Sequence, residues 1–200
     1  MDKSYTFFAT ISRMKYIERW ALMRNSRPEN LSEHSCEVAM IAHLLCSIAN
    51  VRYGHNIDAD RAALIGLYHD TTEIMTGDMP TPVKYFNDDI KNAYKQIEEI
   101  AENRLLDRLP DDLRPIYEEI YKKKESGEDE YMRGLVKAAD KLSAFIKCIE
   151  EERSGNTEFR SAKESTQKSI NELAAKYKEV LDFVNEFLPS YGKTLDELGV

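Results

Sequence analysis

The sequence predicts an all-α fold in one domain, and three observations support this prediction. Glycine and proline are scarce, with 8 and 6 among 200 residues, whereas good helix formers are abundant. Apolar residues recur with helical spacing in one segment after another, and no stretch alternates with the period of two that a half-buried strand shows. Because the chain has no long linker and no repeat, residues 1–200 are expected to form a single helical domain.

The predicted helices are separated by ordinary loop signals. The first covers 4–17, and a loop containing Pro28 leads to a second over 31–50. Asp58 is a candidate N-cap for a third helix, which is expected to run to residue 75 and to end before Gly77 and Pro80.

The second half of the chain continues the helical pattern. A fourth helix begins near residue 90 and ends before Pro110, and a shorter helix covers 111–124. A turn over 125–130 precedes a helix over 131–154. A single long helix is then expected from Phe159 to Phe187, because apolar residues keep helical spacing throughout. Its apolar stripe suits packing within the chain or a dimer surface.

Charge and cysteine usage limit the classes of partner and location. A formal net charge of −8 argues against binding to a nucleic acid polymer, which requires a basic surface. A few local arginine and lysine side chains still suffice for one phosphate. The N-terminal segment contains charges and no long apolar run, so neither a signal peptide nor a membrane span is expected. Three cysteines without CxxC spacing suggest reduced thiols in a cytoplasmic protein.

The four histidines occupy different kinds of position. His34 shares a helical face with the apolar residues at 38, 41, 45 and 48, so its side chain is expected to point into the core. His43 projects to roughly the opposite face and is interpreted as a surface or packing residue. His55 lies in a predicted turn and is interpreted as a solvated loop residue.

His69 and Asp70 follow an apolar helical run, and Glu73 comes one turn later. Ionisable groups at the end of a buried helix are costly unless they are paired or bind a metal ion. Imidazole and carboxylate ligands together suit a divalent transition metal such as Co, Mn, Zn or Fe better than Mg or Ca. The sequence therefore indicates a metal site that includes His34, His69 and Asp70.

Asp140 is the candidate fourth ligand, but periodicity alone leaves this open. The main apolar stripe of its helix faces nearly away from Asp140. Its neighbours one turn away, Val136 and Ala144, are apolar, so a helix buried on two sides would accommodate it.

The order of these residues resembles that of the HD-domain metal phosphohydrolases. Longer stretches at 19–24, 29–35, 68–73, 76–87 and 136–140, and the closing 187–190, resemble the bacterial 5'-deoxynucleotidases of that superfamily. The resemblance covers essentially the whole chain. It implies a helical HD-domain bundle that forms a homodimer and hydrolyses deoxyribonucleoside 5'-monophosphates to deoxynucleoside and phosphate. It also implies that Asp140 completes the metal site.

Within this interpretation, each remaining residue has a functional and a structural reading. Glu73 and Asp70 are the predicted catalytic residues, although Glu73 alternatively only holds His69 in place. Arg19 is the predicted phosphate clamp, or a cation at the protein surface. Trp20 is predicted to leave no space for a 2'-hydroxyl, or to be a plain core residue.

The predicted substrate site has further members. The loop that carries Asp78, Pro80 and Thr81 is expected to bind the sugar or the phosphate, or to be a plain loop with Asp78 as a cap. His34 is assigned to this site as well as to the metal.

Two other functions remain alternatives at this point. One is an HD-type phosphohydrolase acting on a nucleoside triphosphate or cyclic nucleotide. The other is a non-catalytic helical binding protein stabilised by its metal. Glu73, Arg19 and the Asp78 loop favour catalysis, because a structural metal site requires only its ligands.

Overall fold

The computed structural model describes residues 4–84, 86–124 and 126–199 and confirms the all-α prediction. The helices in chain order are α1 (Phe7–Ile11), α2 (Leu31–Tyr53), α3 (Ala59–Tyr68), α4 (Glu73–Thr76), α5 (Thr81–Lys84), α6 (Asp88–Leu106), α7 (Arg114–Tyr121), α8 (Gly127–Arg153), α9 (Arg160–Lys176) and α10 (Lys178–Glu186). Single 3₁₀ turns cover Ser12–Tyr16, Thr157–Phe159 and Leu188–Ser190. Of the turn predicted over 125–130, residue 125 lies outside the described residues, and α8 already begins at Gly127.

One short antiparallel ribbon was not predicted. Strand β1 (Glu18–Arg19) pairs with β2 (Glu29–Asn30), and Arg19 lies directly opposite Glu29. Strands of two residues are too short to produce a recognisable alternation, so hydrophobic periodicity missed them.

Helix α2 is the central helix of the larger core. It begins with a capping box, in which the Asn30 side chain accepts from the backbone N–H groups of Ser32 and Glu33 while Glu33 accepts from the Asn30 N–H. It ends at Gly54, whose φ of 72° is the left-handed conformation that glycine adopts readily. This helix is long and apolar enough to cross a membrane, but its buried residues pack against α3 and α8, as in a core helix.

Helices α2 and α3 approach each other closely at Gly66. A Cβ atom at that position would lie 2.9 Å from the Cα atom of Ala39, too close for any side chain. The end of α3 is thereby held against the first half of α2, which carries His34.

Helix α3 ends earlier than predicted. Its N-cap is Asp58, as expected, and the Asp58 side chain accepts from the backbone N–H of Arg61 at 2.8 Å. The helix stops at Tyr68 because the Thr71 hydroxyl and backbone N–H both donate to the Tyr68 carbonyl, at 2.7 and 3.2 Å. His69 and Asp70 therefore lie in a tight turn between α3 and α4.

The prediction of one continuous helix from Phe159 to Phe187 is wrong. The backbone of Tyr177 is extended, with φ −123° and ψ 112°, and it separates α9 from α10. The buried Tyr177 ring occupies the space beside Gly134 of α8 where a Cβ would otherwise lie. This contact between distant parts of the chain is absent from the local pattern that predicted the helix. The apolar residues Ile170, Val180 and Phe183 are buried within the chain.

Candidate metal centre

Four predicted ligands come together from two helices and a turn. His34 lies in the first turns of α2, Asp140 in the middle of α8, and His69 and Asp70 follow α3. The Asp70 Oδ2 atom lies 3.1 Å from His69 Nε2 and 3.6 Å from His34 Nε2. Asp140 Oδ1 lies 3.2 Å from His34 Nε2. The potential ligand atoms of His34, His69 and Asp70 all lie within 4.8 Å of one another.

The two histidine Nε2 atoms are the strongest sign of a metal site. Both are buried, and neither makes a hydrogen bond of acceptable geometry within the described part of the chain. A buried polar atom without a partner is costly, and a cation between two imidazoles and two carboxylates would satisfy all of them. The donor set therefore fits a divalent transition metal ion.

Asp140 reaches this cluster because α8 is buried on two sides. The apolar stripe that faces away from Asp140 is buried, as expected, and Val136 and Ala144 are also only 5% and 7% exposed. Helix α8 contacts α2, α3 and α9. The carboxylate also accepts from Lys141 Nζ at 3.2 Å.

The outer nitrogens of both imidazoles have hydrogen-bond partners. His69 Nδ1 lies 2.7 Å from the Gly66 carbonyl, which can only accept, so Nδ1 carries a proton and Nε2 is the nitrogen that faces Asp70 in the cluster. His34 Nδ1 lies 3.0 Å from the Ser143 hydroxyl, which donates to Glu37 at 2.5 Å. It also lies 2.8 Å from Arg19 Nη1, which can only donate. Ser143 and Arg19 thus compete for this nitrogen.

The charges of the cluster are tightly coupled. Burial acts to lower the pKa of His69, but the neighbouring Asp70 outweighs it and raises that pKa to about 9. Burial and the positive charge of Arg19 lower the pKa of His34. Burial opposes ionisation of Asp70 and Asp140, yet their histidine partners hold both pKa values below the usual range.

Glu73 lies beside the cluster at the start of α4. It is buried, its Oε2 atom has no hydrogen-bond partner among the described residues, and its Oε1 atom lies 3.9 Å from Lys84 Nζ. Burial, together with the charges of Asp70 and Asp78, raises the pKa of Glu73 to about 8. No hydrogen bond joins Glu73 to His69 in the described residues, so the alternative in which it holds His69 in place has no direct contact to support it.

Arg19 reaches the same centre from β1, and Trp20 follows it in the chain. The Arg19 side chain is buried and contacts His34, and it donates to Glu29 Oε2 at 2.9 Å. Burial opposes its charge, but Glu29 and the carboxylates of the cluster outweigh this effect and raise the pKa of Arg19. The Trp20 indole N–H donates to the same Glu29 oxygen at 3.0 Å, and its backbone N–H donates to Asp78 Oδ2 at 3.3 Å.

The remaining predicted substrate residues lie on the adjoining loop. Asp78 is half-buried, and Pro80 is exposed at the start of α5. The side chain of Thr81 lies outside the part of the structure that is described.

Sequence reasoning missed four residues that contact the centre: Ser143, Glu37, Glu29 and Lys84. Glu37 follows His34 by three residues and Ser143 follows Asp140 by three, so helical spacing already placed each beside a predicted ligand. His43 and His55 are exposed, as predicted, and take no part in the cluster.

In sequence, the chain is similar to proteins of one enzyme family. The family model described as 5'-deoxynucleotidase YfbR-like matches residues 6–191. A 5'-deoxynucleotidase from Klebsiella pneumoniae is 48% identical over 199 residues, covering 99% of this chain and 97% of the relative. The 5'-deoxynucleotidase YfbR from Escherichia coli is 46% identical over 196 residues, covering 98% and 96%.

Solved structures show the same fold. An HD-domain phosphohydrolase from Listeria innocua superimposes with a TM-score of 0.78 at 24% identity, covering 93% of this chain and 88% of that one. A cyanophage S-2L HD phosphohydrolase, bound to dA and one catalytic Zn²⁺ ion, has a TM-score of 0.50 at 24% identity and covers 70% and 69%.

Proposed function

The chain belongs to the 5'-deoxynucleotidase YfbR-like family, and we propose that its reaction centre is the cluster of His34, His69, Asp70 and Asp140. As a member, it is a metal-dependent phosphomonoester hydrolase that converts deoxyribonucleoside 5'-monophosphates to deoxynucleoside and phosphate. The observation that carries the proposed site is the pair of buried Nε2 atoms that have no hydrogen-bond partner among the described residues and lie beside two carboxylates.

Glu73 is proposed as the general base. When bound in such a site, a divalent ion polarises a phosphoryl oxygen and lowers the pKa of a water molecule. Glu73 would accept the proton of the water that attacks phosphorus, and its raised pKa matches a base that works near neutral pH. Its unpartnered Oε2 atom is available for this task. Asp70 Oδ2, close to both Nε2 atoms, shares the catalytic role by orienting the reacting groups.

Arg19, Trp20 and the 78–81 loop are proposed to bind the nucleotide. A guanidinium group can hold two phosphate oxygens at once, and Arg19 lies against His34 at the centre. The Trp20 ring would stand where a 2'-hydroxyl would otherwise enter. Asp78, Pro80 and Thr81 would complete the site beside the sugar and phosphate, together with His34 of the metal cluster.

The ligand set suggests which metal ions bind, and the family resemblance suggests the oligomeric state and the location of the protein. A mixed imidazole and carboxylate site suits Co, Mn, Zn or Fe. We also propose a single HD domain over 1–200, a homodimer and a cytoplasmic location. Sedimentation equilibrium of the purified protein tests the dimer, and a mass of one chain at micromolar concentration would contradict it.

Phosphate release from a panel of nucleotides, with and without added Co²⁺ or Mn²⁺, tests the function. We expect metal-dependent release from deoxyribonucleoside 5'-monophosphates and much less from ribonucleotides, triphosphates and cyclic nucleotides. The Glu73→Gln variant should bind the metal but lose activity by about 10²- to 10⁴-fold. A metal-loaded protein without activity on any monophosphate would refute the proposal, and a fully active Glu73→Gln variant would refute the role of Glu73.

A further inference from the structure

One oxygen atom joins the two residues that are proposed to bind the nucleotide. Glu29 Oε2 accepts from Arg19 Nη1 at 2.9 Å and from the Trp20 indole N–H at 3.0 Å. Arg19 and Glu29 are cross-strand partners in the β1–β2 ribbon, so their side chains project from the same face. The Glu29 side chain is only 12% exposed, so both hydrogen bonds are largely shielded from water.

Trp20 is held in a conformation that it would not adopt unaided. Its φ is 57°, in the left-handed region, and among the described residues other than glycine only Trp20 has a positive φ. This conformation is unfavourable for a residue with a side chain and persists only where surrounding contacts impose it. The backbone N–H is held by Asp78 and the ring lies against Phe159, with centroids 5.3 Å apart. Glu29 supplies the hydrogen bond to the ring itself.

From this geometry we propose that Glu29 is a positioning residue for substrate selectivity, acting through Trp20 and Arg19 without touching the nucleotide. The shared carboxylate oxygen sets the position of the indole ring relative to the guanidinium group. The ring centroid lies 5.8 Å from Arg19 Cζ, so the ring stands at a constant place beside the phosphate clamp. The sugar that fits against this ring is one without a 2'-hydroxyl. The inference rests on the proposed binding roles of Arg19 and Trp20.

The Glu29→Gln variant tests the inference, because glutamine keeps the size of the side chain and removes its charge. The matched control is Glu18→Gln, which makes the same change on the exposed neighbouring position of the ribbon. Trp20 is the single tryptophan of the chain, so intrinsic fluorescence reports directly on its ring. We expect Glu29→Gln, but not Glu18→Gln, to shift the emission to longer wavelength.

The kinetic measurement is the ratio of kcat/KM for a deoxyribonucleoside 5'-monophosphate to kcat/KM for the matching ribonucleotide. In Glu29→Gln this ratio should fall by about tenfold, mainly through KM, because a charge-assisted hydrogen bond is lost. A variant that is merely less stable would lose activity on both substrates equally and keep the ratio.

A double-mutant cycle with Trp20→Phe, which keeps an aromatic ring but lacks the N–H donor, separates the possible results. If Glu29 acts through the indole N–H, Glu29→Gln should change the ratio much less in the Trp20→Phe background than in the wild type. Fully additive effects, or an unchanged ratio and emission in Glu29→Gln, would overturn the inference. If Trp20→Phe and Trp20→Ala both leave the ratio unchanged, the proposed role of Trp20 itself fails, and with it the basis of this inference.

Discussion

At the scale of single residues, the candidate site depends on which nitrogen of each histidine carries the proton. A backbone carbonyl decides this for His69, because it can only accept. For His34 the Ser143 hydroxyl, oriented by Glu37, and the Arg19 guanidinium make opposite demands on Nδ1. If His34 binds the metal through Nε2, its proton is on Nδ1. The Ser143 hydroxyl is placed to accept a hydrogen bond from that N–H group.

Replacing Asp140 with asparagine should weaken metal binding by about a hundredfold or more. A neutral amide is a poorer metal ligand than a carboxylate, and the change also removes the negative charge beside His34 Nε2. Titration of the metal-free variant with Co²⁺ or Zn²⁺ measures this. If the variant still binds the metal with wild-type affinity, Asp140 is not a metal ligand.

The Ser143→Ala variant should bind the metal about tenfold more weakly, because His34 loses the acceptor that orients its ring. Ser47→Ala is the control, since its hydroxyl bonds only to a carbonyl of its own helix. Nitrogen NMR of the histidine rings supplies a second measurement, in which the proton distribution of His34 should change. Equal metal affinity in the two variants would contradict this role.

At the scale of elements, the closeness of α2 and α3 brings His34 to His69. The two rings lie with centroids 5.3 Å apart, although His34 lies in α2 and His69 in the turn after α3. Gly66 permits this approach, and its carbonyl also accepts from His69. A single position thus controls both helix packing and ligand orientation.

Gly66→Ala should therefore destabilise the protein by about 1–3 kcal/mol, because the added methyl group overlaps the backbone of Ala39. In an open helix position the same change usually stabilises, by up to about 1 kcal/mol. Gly127→Ala in the first turn of α8, where nothing lies within 4 Å, is the control and should be neutral or slightly stabilising. Thermal unfolding measures both, and equal effects would show that α2 and α3 do not require the close approach.

At the scale of the whole molecule, one buried carboxylate connects the segment before β2 to α8. Glu151 accepts from the backbone N–H groups of Ser26 and Arg27, from the Ser26 hydroxyl and from Asn156, and it pairs with the buried Lys147. Burial opposes its charge, but Lys147 and Ser26 outweigh this and lower the pKa of Glu151 to about 2.

Because the folded-state pKa is below the unfolded value of 4.5, Glu151 stabilises the fold fully above about pH 4.5, and this contribution is lost as the pH falls toward 2. It amounts to at most about 3 kcal/mol. Chemical unfolding measures the free energy of unfolding between pH 6 and pH 3. The slope of this free energy against pH should be smaller in Glu151→Gln than in the wild type. Glu164→Gln, at an exposed position of α9, should retain the wild-type slope. An unchanged slope in Glu151→Gln would contradict the assignment.

The sequence by itself determined the helical class, the cap at Asp58, the inward direction of His34 and the family to which the motifs belong. These features depend on residues close together along the chain, where helical spacing and capping chemistry act. Only the tertiary structure decided the break at Tyr177, the turn that carries His69 and Asp70, and the orientation of Asp140 toward His34. It also revealed the contacts of Ser143, Glu37 and Glu29. Each of these depends on groups that are distant in sequence and meet only when the helices pack together. Local periodicity therefore cannot predict them.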